Sequence, residues 1–191
     1  MTKPANKQNV ENNNGVVANH IDQVTINSEK KAIKPSILAK IIKHIIQKNI
    51  FSGSVSNPIS YDVTEKIAHN NIIKYRQLIE EYYSYAYICE STLNTIDDVS
   101  YGNKSTVLRH IHDLYILTKG EFTSKCSGTD LSVMQIVQLN SDRILDKIIF
   151  NLENDLSNSL ELAETATEDL LVNLRVFIVY CFVECHILEK P

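Results

Sequence analysis

Residues 170–188 read Leu170-Leu171-Val172-Asn173-Leu174-Arg175-Val176-Phe177-Ile178-Val179-Tyr180-Cys181-Phe182-Val183-Glu184-Cys185-His186-Ile187-Leu188. Wound into a helix, this run is apolar on nearly every side, which marks an element buried all round. Asn173, Arg175, Glu184 and His186 interrupt it, so it fails the test of about 18 uninterrupted apolar residues for a membrane span. It is expected to be the central helix of an all-α body, from Thr167 to about Leu188. Just before it, Thr165-Ala166-Thr167-Glu168 has the spacing of a capping box, in which hydroxyl and carboxylate satisfy backbone donors reciprocally.

Working outward, four further helices are predicted. Pro35 and Ser36 open the first, whose Ile37, Leu38, Ile41, Ile42, Ile45 and Ile46 form one apolar stripe with Lys40, Lys43, His44 and Lys48 outside it. Packing on the body outranks a membrane-surface role for this helix, because it is short and its stripe lacks aromatic anchors. After a loop over Phe51–Ser60, a long helix is expected from about Asp62 to Ile96, carrying Ile67, Ile72, Leu78, Ile79, Tyr82, Tyr83 and Ala86 at helical spacing. Asn103 to Lys119 is the third, with Gly120 as its C-cap, followed by a Ser, Thr and Gly-rich loop over 121–131. Met134 to Leu139 suits helix or strand equally. Ser141 or Asp142 is expected to cap another helix bearing Ile144, Leu145, Ile148, Ile149, Leu152 and Leu156. The expected fold is an all-α bundle of about five helices.

Composition agrees. The 191 residues are 43% hydrophobic and 22% charged, close to the average for globular domains. Five Gly, four Pro and no Trp are too few turn-formers for a β-sandwich or barrel. The length fits one domain with a tail, divided as a polar arm over 1–33 and a helical bundle over 34–191. The arm is rich in Asn, Lys and Gln and buries too little apolar surface to order by itself. Within it, residues 13–27 combine an Asn-Gly turn signal with Val16, Val17, Ile21, Val24 and Ile26, the pattern of a short strand or hairpin. A lone hairpin is marginal in water, so this segment, if ordered, adds to another surface or to copies of itself as a homo-oligomer.

The net charge of −4 and pI near 5.9 speak against a dedicated nucleic-acid binder. The charge is uneven, however: residues 1–50 carry +5 and the remainder −9. Lys30, Lys31, Lys34, Lys40, Lys43 and Lys48 are therefore the candidate nucleic-acid contacts, a second choice behind docking on protein. Cys89, Cys126, Cys181 and Cys185 are spaced too widely for a small disulfide framework, and no secretory apolar region follows Met1, so the expected compartment is the cytoplasm.

No constellation for catalysis stands out. There is no Gly-x-Ser-x-Gly elbow and no Gly-rich loop followed by Lys-Ser or Lys-Thr. Cys181, Cys185 and His186 are the start of a zinc ligand set, but a helix-spaced pair of Cys in an apolar run is more often two small buried hydrophobes. His110 and His112, two apart, point to different sides of a helix and do not share an ion. The expectation is no enzyme, no cofactor and no metal. The candidate protein interface is Tyr82, Tyr83, Tyr85 and Tyr87, since phenols pair an apolar ring with a polar handle, together with Val16, Val17, Ile21, Val24 and Ile26 of the arm.

Five strings carry a resemblance: Tyr61-Asp62-Val63-Thr64-Glu65-Lys66-Ile67-Ala68-His69-Asn70; residues 75–82; Lys104-Ser105-Thr106-Val107-Leu108-Arg109-His110-Ile111; Asn140-Ser141-Asp142-Arg143-Ile144; and Phe182-Val183-Glu184-Cys185-His186-Ile187-Leu188-Glu189-Lys190-Pro191. In this order they resemble the C-terminal domains of bacterial ABC three-component conflict systems, over roughly residues 35–191. Asn14-Gly15-Val16-Val17-Ala18 is similar to a segment that often precedes such domains. The resemblance implies a sensor or adaptor module of an anti-phage defence system, standing alone without an effector domain. Its partners would be an ABC-type ATPase, a middle component or an effector of the same system.

Overall fold

In a computed structural model that describes residues 34–52 and 58–191, seven helices follow one another: α1 (Ile37–Gln47), α2 (Tyr61–His69), α3 (Arg76–Tyr82), α4 (Ala86–Val99), α5 (Asn103–Lys125), α6 (Val133–Leu156) and α7 (Thr167–Val183). Single 3-10 turns lie at Ile50–Ser52, Tyr83–Tyr85 and Leu160–Leu162. The described residues contain no strand, only an isolated bridge between Lys34 and Ser159. The fold is an all-α bundle. The arm over 1–33, with its segment at 13–27, lies outside the described residues.

Helix α7 is the axle. It packs against α1, α3, α4 and α6, and Phe177, Tyr180 and Phe182 are all between 0% and 2% exposed. Each such side chain contributes about 1.5–3 kcal/mol of burial free energy. Helix α1 lies on it through Leu38, Ile41, Ile42 and Ile45, with Lys40, Lys43 and Lys48 outward, as its stripe predicts. Ser36 caps α1 by accepting from the Ala39 N–H at 3.2 Å, and Pro35 falls just outside the helix.

The expected long helix over 62–96 is three helices, and the reason is local. Asn71 takes a left-handed φ of 53°, a conformation Asn tolerates better than most residues. Its N–H bonds Ala68 O at 3.0 Å and the Ile72 N–H bonds Ile67 O at 3.1 Å, which is a Schellman stop, with buried Ile67 and Ile72 as its apolar contact. Side chains from α6 then replace the missing helical partners. Gln138 Nε2 donates to His69 O at 2.7 Å, and Asp142 accepts from the Ile73 and Lys74 N–H groups at 3.2 and 3.0 Å. The second break, at Tyr83–Tyr85, is a tightening to 3-10 geometry.

Other boundaries also move. Gly120 lies inside α5, which runs to Lys125; the glycine with positive φ beyond the helix is Gly128. Met134–Leu139 is helical and belongs to α6, whose cap is neither Ser141 nor Asp142 but Ser132, the side chain of which forms a full capping box with Gln135. Ser141 and Asp142 are thus mid-helix and serve the turn after α2. The box expected at Thr165–Glu168 does not form: the N-cap is Ala166 without a side-chain bond, and the Thr165 N–H is already bonded to Leu162 O at 3.0 Å. Finally, α7 stops at Val183 rather than Leu188.

Candidate functional site

The end of α7 is where distant parts of the chain converge. Cys185 adopts a φ of 61°; its N–H bonds Phe182 O at 3.1 Å and the His186 N–H bonds Cys181 O at 2.9 Å. This is a second Schellman stop, with Cys in the place where Gly is usual. From α2, Lys66 reaches in and is only 2% exposed. Its ammonium donates to Phe182 O at 2.5 Å and Ile187 O at 3.1 Å, and lies 4.5 Å from the centre of the Phe182 ring. A cation there adds a donor to the Phe182 carbonyl beside the Cys185 N–H, meets the Ile187 carbonyl beyond the helix, and complements the negative end of the α7 dipole. Burial lowers the Lys66 pKa, and the adjacent Cys185 sulfur opposes that shift.

One turn on, Asn70 is fully buried. Its Nδ2 donates to Glu189 O at 2.7 Å and Lys66 O at 2.9 Å, while its Oδ1 accepts from the Glu189 N–H at 2.9 Å. Helix α5 holds the same residue by its side chain: Tyr115 and Lys119 donate to Glu189 Oε1 at 2.5 and 2.8 Å. Desolvation works to raise the Glu189 pKa, but these two hydrogen bonds outweigh it and hold the carboxyl below the usual range. Burial and the Glu189 hydrogen bond push the Tyr115 phenol well up. His112 Nδ1 lies 3.1 Å from His186 O, and burial, then His112 and Lys66, lower the His186 pKa. Residues 184–191 are thereby clamped between α2 and α5.

None of Lys66, Asn70, Tyr115, Lys119 and Glu189 was expected as a site residue. A signal exists for two of them: Val63, Lys66, Ile67 and Asn70 recur at three and four residues, so Lys66 and Asn70 fall on the buried stripe of α2. The clamp also joins the first and last of the five strings, and the fourth, through Ser141 and Asp142, supports the turn that ends α2.

The expected tyrosine cluster divides in two, because the 3-10 turn rotates successive side chains apart. Tyr82 and Tyr85 pack with Phe51: the ring centres are 5.9 Å apart for Phe51 and Tyr82, 5.1 Å for Phe51 and Tyr85, and 6.3 Å for the two tyrosines. Tyr83 and Tyr87 instead line a groove of about 510 Å³ with Glu90, Tyr180, Val183 and Glu184. Tyr87 is 57% exposed. Desolvation acts to raise the Glu90 pKa, but Lys104, donating to Oε1 at 2.5 Å, and Tyr180, donating to Oε2, hold it low.

Lys34, Lys40, Lys43 and Lys48 are exposed, and Lys48 donates to Ser91 Oγ at 3.3 Å. Lys30 and Lys31, like Val16, Val17, Ile21, Val24 and Ile26, lie outside the described residues. Cys181 and Cys185 do not share a helix face, since α7 ends between them, and Cys181 is fully buried. His110 is a surface residue whose Nε2 stands 3.9 Å from Asp155. Among the described residues no three His, Cys, Asp or Glu side chains gather as a metal set, and no helix is long and apolar enough to cross a membrane. No known family, curated protein or solved structure matches the chain.

Proposed function

We propose that this chain is a non-catalytic sensor or adaptor module that docks on a protein partner through the groove beside Tyr83 and Tyr87. The observation that carries this reading is the groove itself, where half-buried Tyr83 and exposed Tyr87 flank Glu90, Glu184 and the end of α7. Aromatic rings beside ordered polar groups suit the buried centre of a protein interface. The resemblance to the C-terminal domains of ABC three-component conflict systems supplies the kind of partner: an ABC-type ATPase, a middle component or an effector of an anti-phage system. Co-purification of the full chain with the products of neighbouring genes tests it. Tyr87→Ala should weaken the complex by about ten-fold or more, the loss expected for an interface anchor, without unfolding the exposed site. A chain that binds none of those products, or a Tyr87→Ala variant that binds as well as wild type, refutes it.

One observation favours a second reading. Lys40, Lys43, His44 and Lys48 stand exposed on one side of α1, a basic face able to follow a phosphate backbone. This reading requires binding to DNA or RNA at low ionic strength that falls steeply with salt, and the absence of any binding there removes it.

A further inference from the structure

We propose that the groove beside Tyr83 and Tyr87 receives an arginine side chain from a basic segment of the partner protein. The inference rests on the groove reading above and names the chemistry of its occupant. Two carboxylates line this groove of about 510 Å³, and they differ. Glu90 is matched, since Lys104 donates to its Oε1 at 2.5 Å and Tyr180 to its Oε2. Glu184 is exposed and makes no ion pair with any described residue. It is also the C-cap of α7, whose last turn holds no basic residue, so a carboxylate stands at the negative end of a helix dipole, where a cation is the favoured neighbour. Lys66, which meets this helix end from α2, lines a different cleft with Asp62 and Glu65.

The tyrosines decide between cations. A guanidinium is flat and weakly hydrated, so it stacks on an aromatic face while its fork of N–H groups donates to a carboxylate; an ammonium is a compact, strongly hydrated point charge. Tyr87 is 57% exposed, which leaves its ring open to such a stack, and half-buried Tyr83 walls the same groove. The guanidinium donates to Glu184 and lies on the Tyr87 ring, with its aliphatic stem along Val183. An acidic segment meets repulsion here, and an apolar one strips water from Glu184 without supplying a counter-charge. The wider charge distribution acts in the same sense: residues 51–191 carry −9, a field that speeds encounter with a basic partner.

The probe is fluorescein-labelled hexa-arginine, read by anisotropy against the full chain at about 0.15 M salt, where long-range attraction is largely screened. It should bind saturably. Glu184→Gln should weaken it about ten-fold, the scale of a charge-assisted hydrogen bond, and Tyr87→Ala about two- to five-fold, while Tyr87→Phe, which keeps the ring, should bind like wild type. Asp98→Asn, at an exposed carboxylate outside the groove, removes the same charge and should leave the affinity unchanged. Absence of binding, or equal losses in Glu184→Gln and Asp98→Asn, overturns the proposal. The two readings fail separately. A complex with a neighbouring gene product that Tyr87→Ala weakens and Glu184→Gln leaves intact keeps the groove and removes the arginine; hexa-arginine held by Glu184 and Tyr87 in a chain that binds no such product keeps the arginine site and removes those partners.

Discussion

Replacing Asn70 by Ala interrogates the clamp most directly. Asn70 is fully buried and holds Glu189 from both sides, with its Nδ2 on the carbonyl at 2.7 Å and its Oδ1 on the N–H at 2.9 Å. Its third bond, to Lys66 O, counts for little because that carbonyl also accepts the Asn70 N–H at 3.1 Å. Two lost hydrogen bonds at about 1 kcal/mol each, plus the stranding of partly buried partners, give about 2–4 kcal/mol. With a urea slope of about 2 kcal/mol per molar, the unfolding midpoint should fall by about 1–2 M. Amide exchange at Glu189 should quicken by about 30- to 700-fold, at ten-fold per 1.4 kcal/mol. Asn70→Asp keeps the acceptor for the Glu189 N–H but loses both donors and buries a charge, so it should be no better than Ala. If Asn70→Ala shifts stability by under about 0.5 kcal/mol, the size of an ordinary surface change, and leaves Glu189 exchange untouched, residues 184–191 are not held as described.

Two other outcomes follow from the same structure. Phe177 is fully buried on the axle, so Phe177→Ala should cost about 3–5 kcal/mol; at about 2–4 °C per kcal/mol, thermal unfolding should come roughly 6–20 °C earlier, and a loss under about 1 kcal/mol would show that α7 is not the core. Acid should free the tail before it unfolds the body. The folded state lowers the His186 pKa below 6.5, so the unfolded chain takes that proton more readily; the stability from this group is complete above about 6.5 and drains away as pH falls through the folded value. Glu189 acts in the same direction below its ordinary 4.5, since its carboxyl is held low in the fold. Amide exchange across 186–189, corrected for the intrinsic rate, should rise between about pH 7 and 4 ahead of the core amides, and uniform behaviour would refute it.

The helical class was legible because hydrophobic period is a local property. The all-round apolar character of 170–183 placed the axle, and the stripe of α1 placed its buried side, from neighbouring residues alone. The breaks were harder for an opposite reason. Nothing between Asp62 and Ile96 is Gly or Pro, yet the chain stops at Asn70-Asn71, because Asp142 and Gln138, far along the chain on α6, supply the bonds that a continuing helix would have made. A pair of consecutive Asn is the one local hint. The box at Thr165–Glu168 misled for a related reason: the spacing matched, but the preceding 3-10 turn had already used the Thr165 N–H and moved the cap by one residue.

The clamp was hidden by sequence distance and by the kind of bond that makes it. Lys66 meets Phe182 and Ile187 across 116 and 121 positions, and in each case the acceptor is a backbone carbonyl, which every residue carries and no residue type reveals. Only the donors' side of the arrangement is written in residue types, as a lysine and an asparagine on a stripe shared with Val63 and Ile67. Burying an ammonium costs several kcal/mol unless carbonyls or opposite charge meet it, so a lysine at such a register implies a helix end or an electron-rich side chain opposite. Both are present here, the end of α7, where the Phe182 and Ile187 carbonyls accept, and the Phe182 ring 4.5 Å from the ammonium, and it is this pairing on one buried lysine that ties residues 184–191 to α2.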